Sequence, residues 1–115
     1  MLLDTSGLFC LFDGSDARHS EVVRLFDAAS VRILHNYVPA ELVALCAARG
    51  LNRAHALSFV ADLQDSTLIE HEWVSESLHR AALALLNDRA DKSYSLCDAA
   101  SYLLMRARHS GGTHH

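Results

Sequence analysis

Apolar and polar positions along the chain switch repeatedly between short compact runs and helical spacing. "MLL" at the amino terminus is a short apolar run ended by Asp4, Thr5, Ser6 and Gly7, which predicts a buried strand passing into the turn that opens a helix. Leu8 to Phe12 continue as that helix, and "DGSD" (13–16) breaks it. Val22, Val23 and Phe26 then fall at the spacing of a second helix. "VRILHN" sets Val31, Ile33 and Leu34 in a β-rich run, and "YVPAELVALCAARG" reads as a helix with Pro39 near its first turn and Gly50 past its end. An amphipathic helix opened by Asn52 follows, then a short strand around 67–69, a helix over 75–90 through Leu78, Ala82, Leu85 and Leu86, and a last helix over 96–108. Strands alternating with helices of this length predict an α/β domain, with a short parallel sheet covered by helices on both faces in a three-layer α/β/α arrangement.

Composition narrows this only a little. With 115 residues, 50% hydrophobic and 21% charged, the chain is long enough for a domain with a genuine core and has the balance of an ordinary globular protein. No apolar run reaches the ~20 residues of a membrane span, and the amino terminus lacks the pattern of a signal peptide, so no membrane association and a cytoplasmic location are expected. Cys10, Cys46 and Cys97 sit in apolar segments at wide spacing and in odd number, which predicts reduced core thiols rather than a disulfide framework or a metal knuckle. The formal charge of −4 gives no general attraction to a phosphate backbone, so a nucleic acid would have to be held by a local basic patch or through cations.

The chemistry concentrates in three carboxylates. Asp4 closes the first strand, Glu41 is expected in the first turn of the helix after the second, and Asp98 stands in the first turn of the last helix, within the otherwise apolar "YSLCDAASYLLM". In an open parallel sheet such places lie at one edge, outside the carboxyl ends of the strands, where these folds bind ligands. Each acid also has a plain structural role: Asp4 fits a helix cap, Glu41 a dipole-favoured position, and Ser95 with Asp98 the Ser-x-x-Asp spacing of a capping box. Together, however, three converging acids repel one another unless a cation lies among them, and carboxylates without cysteine or histidine suit Mg²⁺ or Mn²⁺. Phosphodiester hydrolysis is the matching chemistry, because such metals lower the pKa of an attacking water and stabilise charge on the leaving oxygen.

Three segments carry a resemblance. "LLDTSGLF" at the amino terminus, "NYVPAELVAL" (36–45) and "DKSYSLCDAASYLLM" (91–105) resemble the PIN-domain ribonucleases, and most closely the VapC-type toxins of bacterial toxin-antitoxin modules. The resemblance runs from Met1 to about Arg108. It implies a PIN-like domain over 1–108, followed by a flexible tail over 109–115 that is either native or added in cloning. It also implies a Mg²⁺- or Mn²⁺-dependent endoribonuclease in which Asp4, Glu41 and Asp98 match the catalytic, metal-binding acids. Thr5 and Ser6 match the small hydroxyl residues after the first acid, with Ser6 expected to orient either Asp4 or a metal-bound water. The partners implied are a cognate antitoxin that plugs the acidic pocket, a structured RNA substrate (transfer RNA or a ribosomal RNA loop) and a second copy in a homodimer.

The chain departs from the family after the "YLLM" helix, where the family continues into another strand with a fourth acid. Here the sequence reads "RARHSGGTHH", and no acid follows Asp98. The expected consequences are a weaker metal site and an exposed sheet edge that favours dimerisation or strand exchange. An alternative function follows: a catalytically impaired PIN scaffold that binds its antitoxin and oligomerises without cutting RNA.

Asp91 fits either an outer-shell group of the acidic pocket or a solvated turn. Arg89, Lys92, Arg106 and Arg108 cluster along the sequence near the last helix and fit either phosphate contacts or a solvated face. Trp73 and Tyr94 fit either base stacking or packing at a core edge. His35, His55, His71 and His79 lack zinc-site spacing, no serine or cysteine stands in a nucleophile elbow, and "DTSG" has too few glycines for a phosphate cradle. His109, His114 and His115 are a weak candidate for a stray transition metal.

Overall fold

The structure, a computed structural model, describes residues 1–112. The described residues form six helices and a short parallel sheet, α/β in class as the alternation of elements predicts, and the chain divides into two compact units, Met1–Glu72 and Trp73–His115.

The first unit is built around a strand buried on both faces. β1 (Ile33–His35) has all three residues buried, the condition of a central strand in a parallel sheet. On one side the amino-terminal segment lies parallel to it, with Leu2 bridging Ile33; the Ile33 N–H donates to the Met1 carbonyl at 2.9 Å and the Leu3 N–H to the Ile33 carbonyl at 2.8 Å. On the other side β2 (Glu70–Glu72) pairs in parallel register, Ile33 with Glu70 and His35 with Glu72. The strand expected at the amino terminus is thus reduced to a single bridge, since Asp4 already caps the next helix. The strand expected over 67–69 arrives three residues late. Ser66 Oγ accepts the Leu68 N–H at 3.1 Å, so Thr67 and Leu68 are spent in a turn after the preceding helix, and only the buried Ile69 keeps its expected core role.

Four helices flank this sheet. α1 (Thr5–Phe12) buries Leu8, Phe9 and Cys10 and packs on both α2 (His19–Ala28) and α3 (Tyr37–Ala48). It ends where Asp13 accepts the Ser15 N–H and hydroxyl at 3.0 and 2.6 Å, an Asx turn in the expected break. The last carbonyls of α2 are capped from outside: Arg32 donates to the Phe26 carbonyl at 2.7 Å and the Asp27 carbonyl at 3.2 Å, with its guanidinium 4.7 Å from the Phe26 ring centre. α3 ends in a Schellman motif. Gly50, at φ 69°, donates to the Ala47 carbonyl while Leu51 reaches back to that of Cys46, a left-handed position that suits glycine. α3 packs on α4 (Arg53–Asp65), which Asn52 caps by accepting the His55 N–H at 3.0 Å, as the sequence predicts.

The second unit is a helix pair. α5 (Glu76–Asp88) is capped by Ser75 and packs on α6 (Leu96–Gly112), with Ala82 of α5 and Ala99 and Ala100 of α6 buried. Small residues at these positions let two helix backbones approach closely. α6 continues past the expected end at Arg108 and includes His109; Thr113, His114 and His115, the end of the expected tail, lie outside the described residues. Cys10, Cys46 and Cys97 are buried free thiols, as expected. Burial pushes the Cys10 and Cys46 thiols up from their ordinary range, the direction that keeps them protonated and unreactive.

Candidate active site

Asp4 is exposed and caps α1, accepting the Gly7 N–H on Oδ1 at 2.7 Å. A Cβ on residue 7 would stand 2.8 Å from that same oxygen, so glycine is what allows the carboxylate to settle there. The second oxygen of Asp4 lies outside the cap. Of the two hydroxyl residues expected to support Asp4, Thr5 is buried and Ser6 exposed; the carboxylate accepts from the Gly7 backbone, a partner the side-chain pattern did not single out.

Glu41 is half-buried on α3 but not in its first turn. The helix starts at Tyr37, two residues before Pro39, and so puts Glu41 in the second turn. Pro39 is tolerated there because the first four backbone N–H groups of a helix have no partner within it. His35, at the end of β1, is fully buried; its Nδ1 accepts the Tyr37 N–H at 3.3 Å, and its ring meets that of Tyr37 edge-on at 5.8 Å. Burial pushes its pKa down, against a smaller upward pull from the Glu41 carboxylate. A histidine that completes the central strand beside a candidate acid is a site feature that histidine spacing alone could not reveal.

Asp98 belongs to the second unit and makes the expected capping box. Its Oδ2 accepts the Ser95 N–H at 3.1 Å, and its own N–H donates to Ser95 Oγ at 3.0 Å. The side chain is exposed, so its place in an apolar helix needs no buried counter-charge, and Oδ1 lies outside the cap. Asp91 is an exposed turn residue, with an oxygen 3.9 Å from Lys92 Nζ. Trp73 and Tyr94 are 76% and 56% exposed, so neither is enclosed in a core. Tyr94 lines a cleft of about 410 Å³ with Leu85, Arg89, Asp98, Ala99 and Tyr102.

Carboxylate oxygens that are exposed and only half committed to helix caps suit a hard divalent cation that keeps part of its water shell. Asp4, Glu41 and Asp98 are the residues whose donor chemistry fits such an ion. Among the described residues, however, no three His, Cys, Asp or Glu side chains are gathered into a group that could hold one. Asp4 and Glu41 lie in the first unit and Asp98 in the second.

No family model matches the chain, and no curated protein matches it. Among solved structures, the crystal structure of VapC20 from Mycobacterium tuberculosis, described as a sarcin-ricin loop cleaving toxin, superposes with a TM-score of 0.83 over 93% of this chain and 82% of that one. A short parallel sheet with six helices matches the PIN-like α/β fold of that structure. The two sequences are 30% identical, and the chain belongs to the VapC-type PIN-domain toxins.

Proposed function

We propose that this chain is a divalent-metal-dependent endoribonuclease toxin of a toxin-antitoxin system, hydrolysing phosphodiester bonds in a structured RNA loop of ribosomal or transfer RNA. The observation that carries this reading is the match in fold and sequence to a loop-cleaving VapC toxin over nearly the whole chain. The caps of Asp4 and Asp98 support it, since each fixes one carboxylate oxygen and leaves the other outside.

In this reading Asp4, Glu41 and Asp98 are the residues that would hold Mg²⁺ or Mn²⁺. The ion, when bound, supplies a lower pKa to the attacking water and offsets charge on the leaving oxygen. The chain's own contribution is positional. Gly7 and Ser95 hold two of the acids at helix N-termini in orientations set by backbone bonds, and α3, which follows β1 after one residue, carries the third. Family membership supports a cognate antitoxin, a homodimer and a cytoplasmic setting as parts of the same proposal; no helix among the described residues is long and apolar enough to cross a membrane.

The test is metal-dependent cleavage of structured RNA by Asp4→Asn and Glu41→Gln. Each is expected to reduce cleavage at least a hundredfold while the protein stays folded. Undiminished cleavage by either variant removes that acid from the mechanism.

A further inference from the structure

The cleft of the second unit has two helical walls. Leu85 and Arg89 stand one turn apart on α5 and at its C-cap, while Asp98 and Tyr102 stand one turn apart on α6 with Ala99 between them. Tyr94, in the connection, completes the lining. Three features distinguish this cleft from ordinary surface. Tyr94 and Tyr102 are 56% and 55% exposed, leaving ring surface uncovered where a tyrosine usually packs. Among the described residues the Arg89 guanidinium has no carboxylate partner, although Asp98 lines the same cleft. The volume of about 410 Å³ lies in the range of small-ligand pockets.

We propose that this cleft is a nucleotide subsite of the RNA substrate, in which an unpaired base stacks on Tyr102 and Tyr94 and an adjacent phosphate is held by Arg89. The proposal rests on the ribonuclease reading and deepens it, because Asp98 belongs both to the cleft and to the candidate catalytic acids. Uncovered aromatic faces beside a guanidinium are the recurring means of holding single-stranded RNA, the rings taking the base and the cation the backbone. A chain with a formal charge of −4 needs such a local contact, since its overall field repels RNA. The subsite selects unpaired loop nucleotides, because a base stacked in a duplex cannot present its face to a side chain.

The test measures binding without cleavage. A fluorescein-labelled RNA stem-loop with an unpaired purine loop, and a blunt duplex of the same stem, are titrated in EDTA with the wild-type chain, Tyr102→Ala, Tyr94→Ala, Tyr102→Phe and Arg89→Ala, the fold of each confirmed by circular dichroism. The two alanine variants at tyrosine are expected to weaken loop binding roughly 5- to 30-fold with unchanged salt dependence, as loss of a base stack does, and Tyr102→Phe to bind as wild type. Arg89→Ala is expected to lower the slope of log Kd against log salt by about one. The wild-type chain is expected to prefer the loop over the duplex, and the tyrosine-to-alanine variants to lose that preference. Loop binding unchanged in both tyrosine-to-alanine variants overturns the proposal; the same result with reduced self-association in sedimentation assigns the cleft to a second copy instead. Cleavage with Mn²⁺, measured in parallel on wild type and Asp98→Asn, separates the two readings. Tyrosine-dependent binding without any cleavage keeps the subsite and removes the nuclease, whereas Asp98-dependent cleavage with tyrosine-independent binding does the reverse.

Discussion

Asp98 and Ser95 exchange two hydrogen bonds, so substitutions there separate folding from chemistry. Ser95→Ala removes one side of the box and is expected to cost about 1 kcal/mol, read as a lower Tm. Asp98→Asn keeps an acceptor for the Ser95 N–H and loses only the charge, so it is expected to melt close to wild type while losing metal-dependent cleavage. Gly7 is a stricter case. In Gly7→Ala the new Cβ would stand 2.8 Å from Asp4 Oδ1 and must displace the carboxylate. Both a stability loss of about 1 kcal/mol, the scale of a lost N-cap, and a fall in cleavage are expected. His35 governs a pH effect in the metal-free protein. Its folded pKa lies below the ordinary 6.5, so above pH 6.5 both states are neutral there and stability is flat. Below pH 6.5 the unfolded chain binds the proton first, and stability falls as pH drops toward the folded pKa. Urea melts from pH 8 to 5 are expected to show that fall in wild type and a shallower one in His35→Phe. The capping box was legible at this scale, because Ser-x-x-Asp is a local spacing. The Gly7 contact and the burial of His35 were not, because one depends on backbone geometry and the other on which strand becomes central.

At the scale of elements, the pattern located helices better than strands. Helix periodicity needs only one apolar face, and Val22, Val23 and Phe26 or Leu78, Ala82 and Leu85 supply it within one segment. β2 reads Glu70, His71, Glu72, with no apolar alternation to announce it; its pairing with the buried β1 makes it a strand. That pairing leaves a mark on His71, whose Nε2 is buried with no hydrogen-bond partner among the described residues. An unsatisfied buried nitrogen costs roughly 1–3 kcal/mol, so His71→Phe is expected to be neutral or to raise the midpoint of urea unfolding. The α5–α6 pair depends on small residues instead. Ala100 is wholly buried on α6, and Ala100→Leu is expected to destabilise by about 1–3 kcal/mol through overpacking, seen as a lower Tm.

For the molecule as a whole, the three acids were legible because each stands near the start of a helix in its own sequence segment, although Asp98 follows α5 through a turn and not a strand, and 30% identity to a VapC toxin puts the family beyond pattern alone. The cleft was not legible. Leu85 and Arg89 on one helix meet Asp98 and Tyr102 on the next only through packing, and sequence favours burying tyrosine rather than exposing it. What joins the caps, the acids and the family is the proposed cleavage of RNA by a metal held on carboxylates. It is tested most directly by incubating the purified, folded chain with a structured RNA pool in Mn²⁺, in EDTA, and in Mn²⁺ with Asp98→Asn. Expected is cleavage in Mn²⁺ alone, lost both with the chelator and with the substitution. Cleavage that survives Asp98→Asn, or no cleavage under any of the three conditions, contradicts a nuclease site built on these acids; the second result leaves a scaffold that binds its antitoxin without cutting.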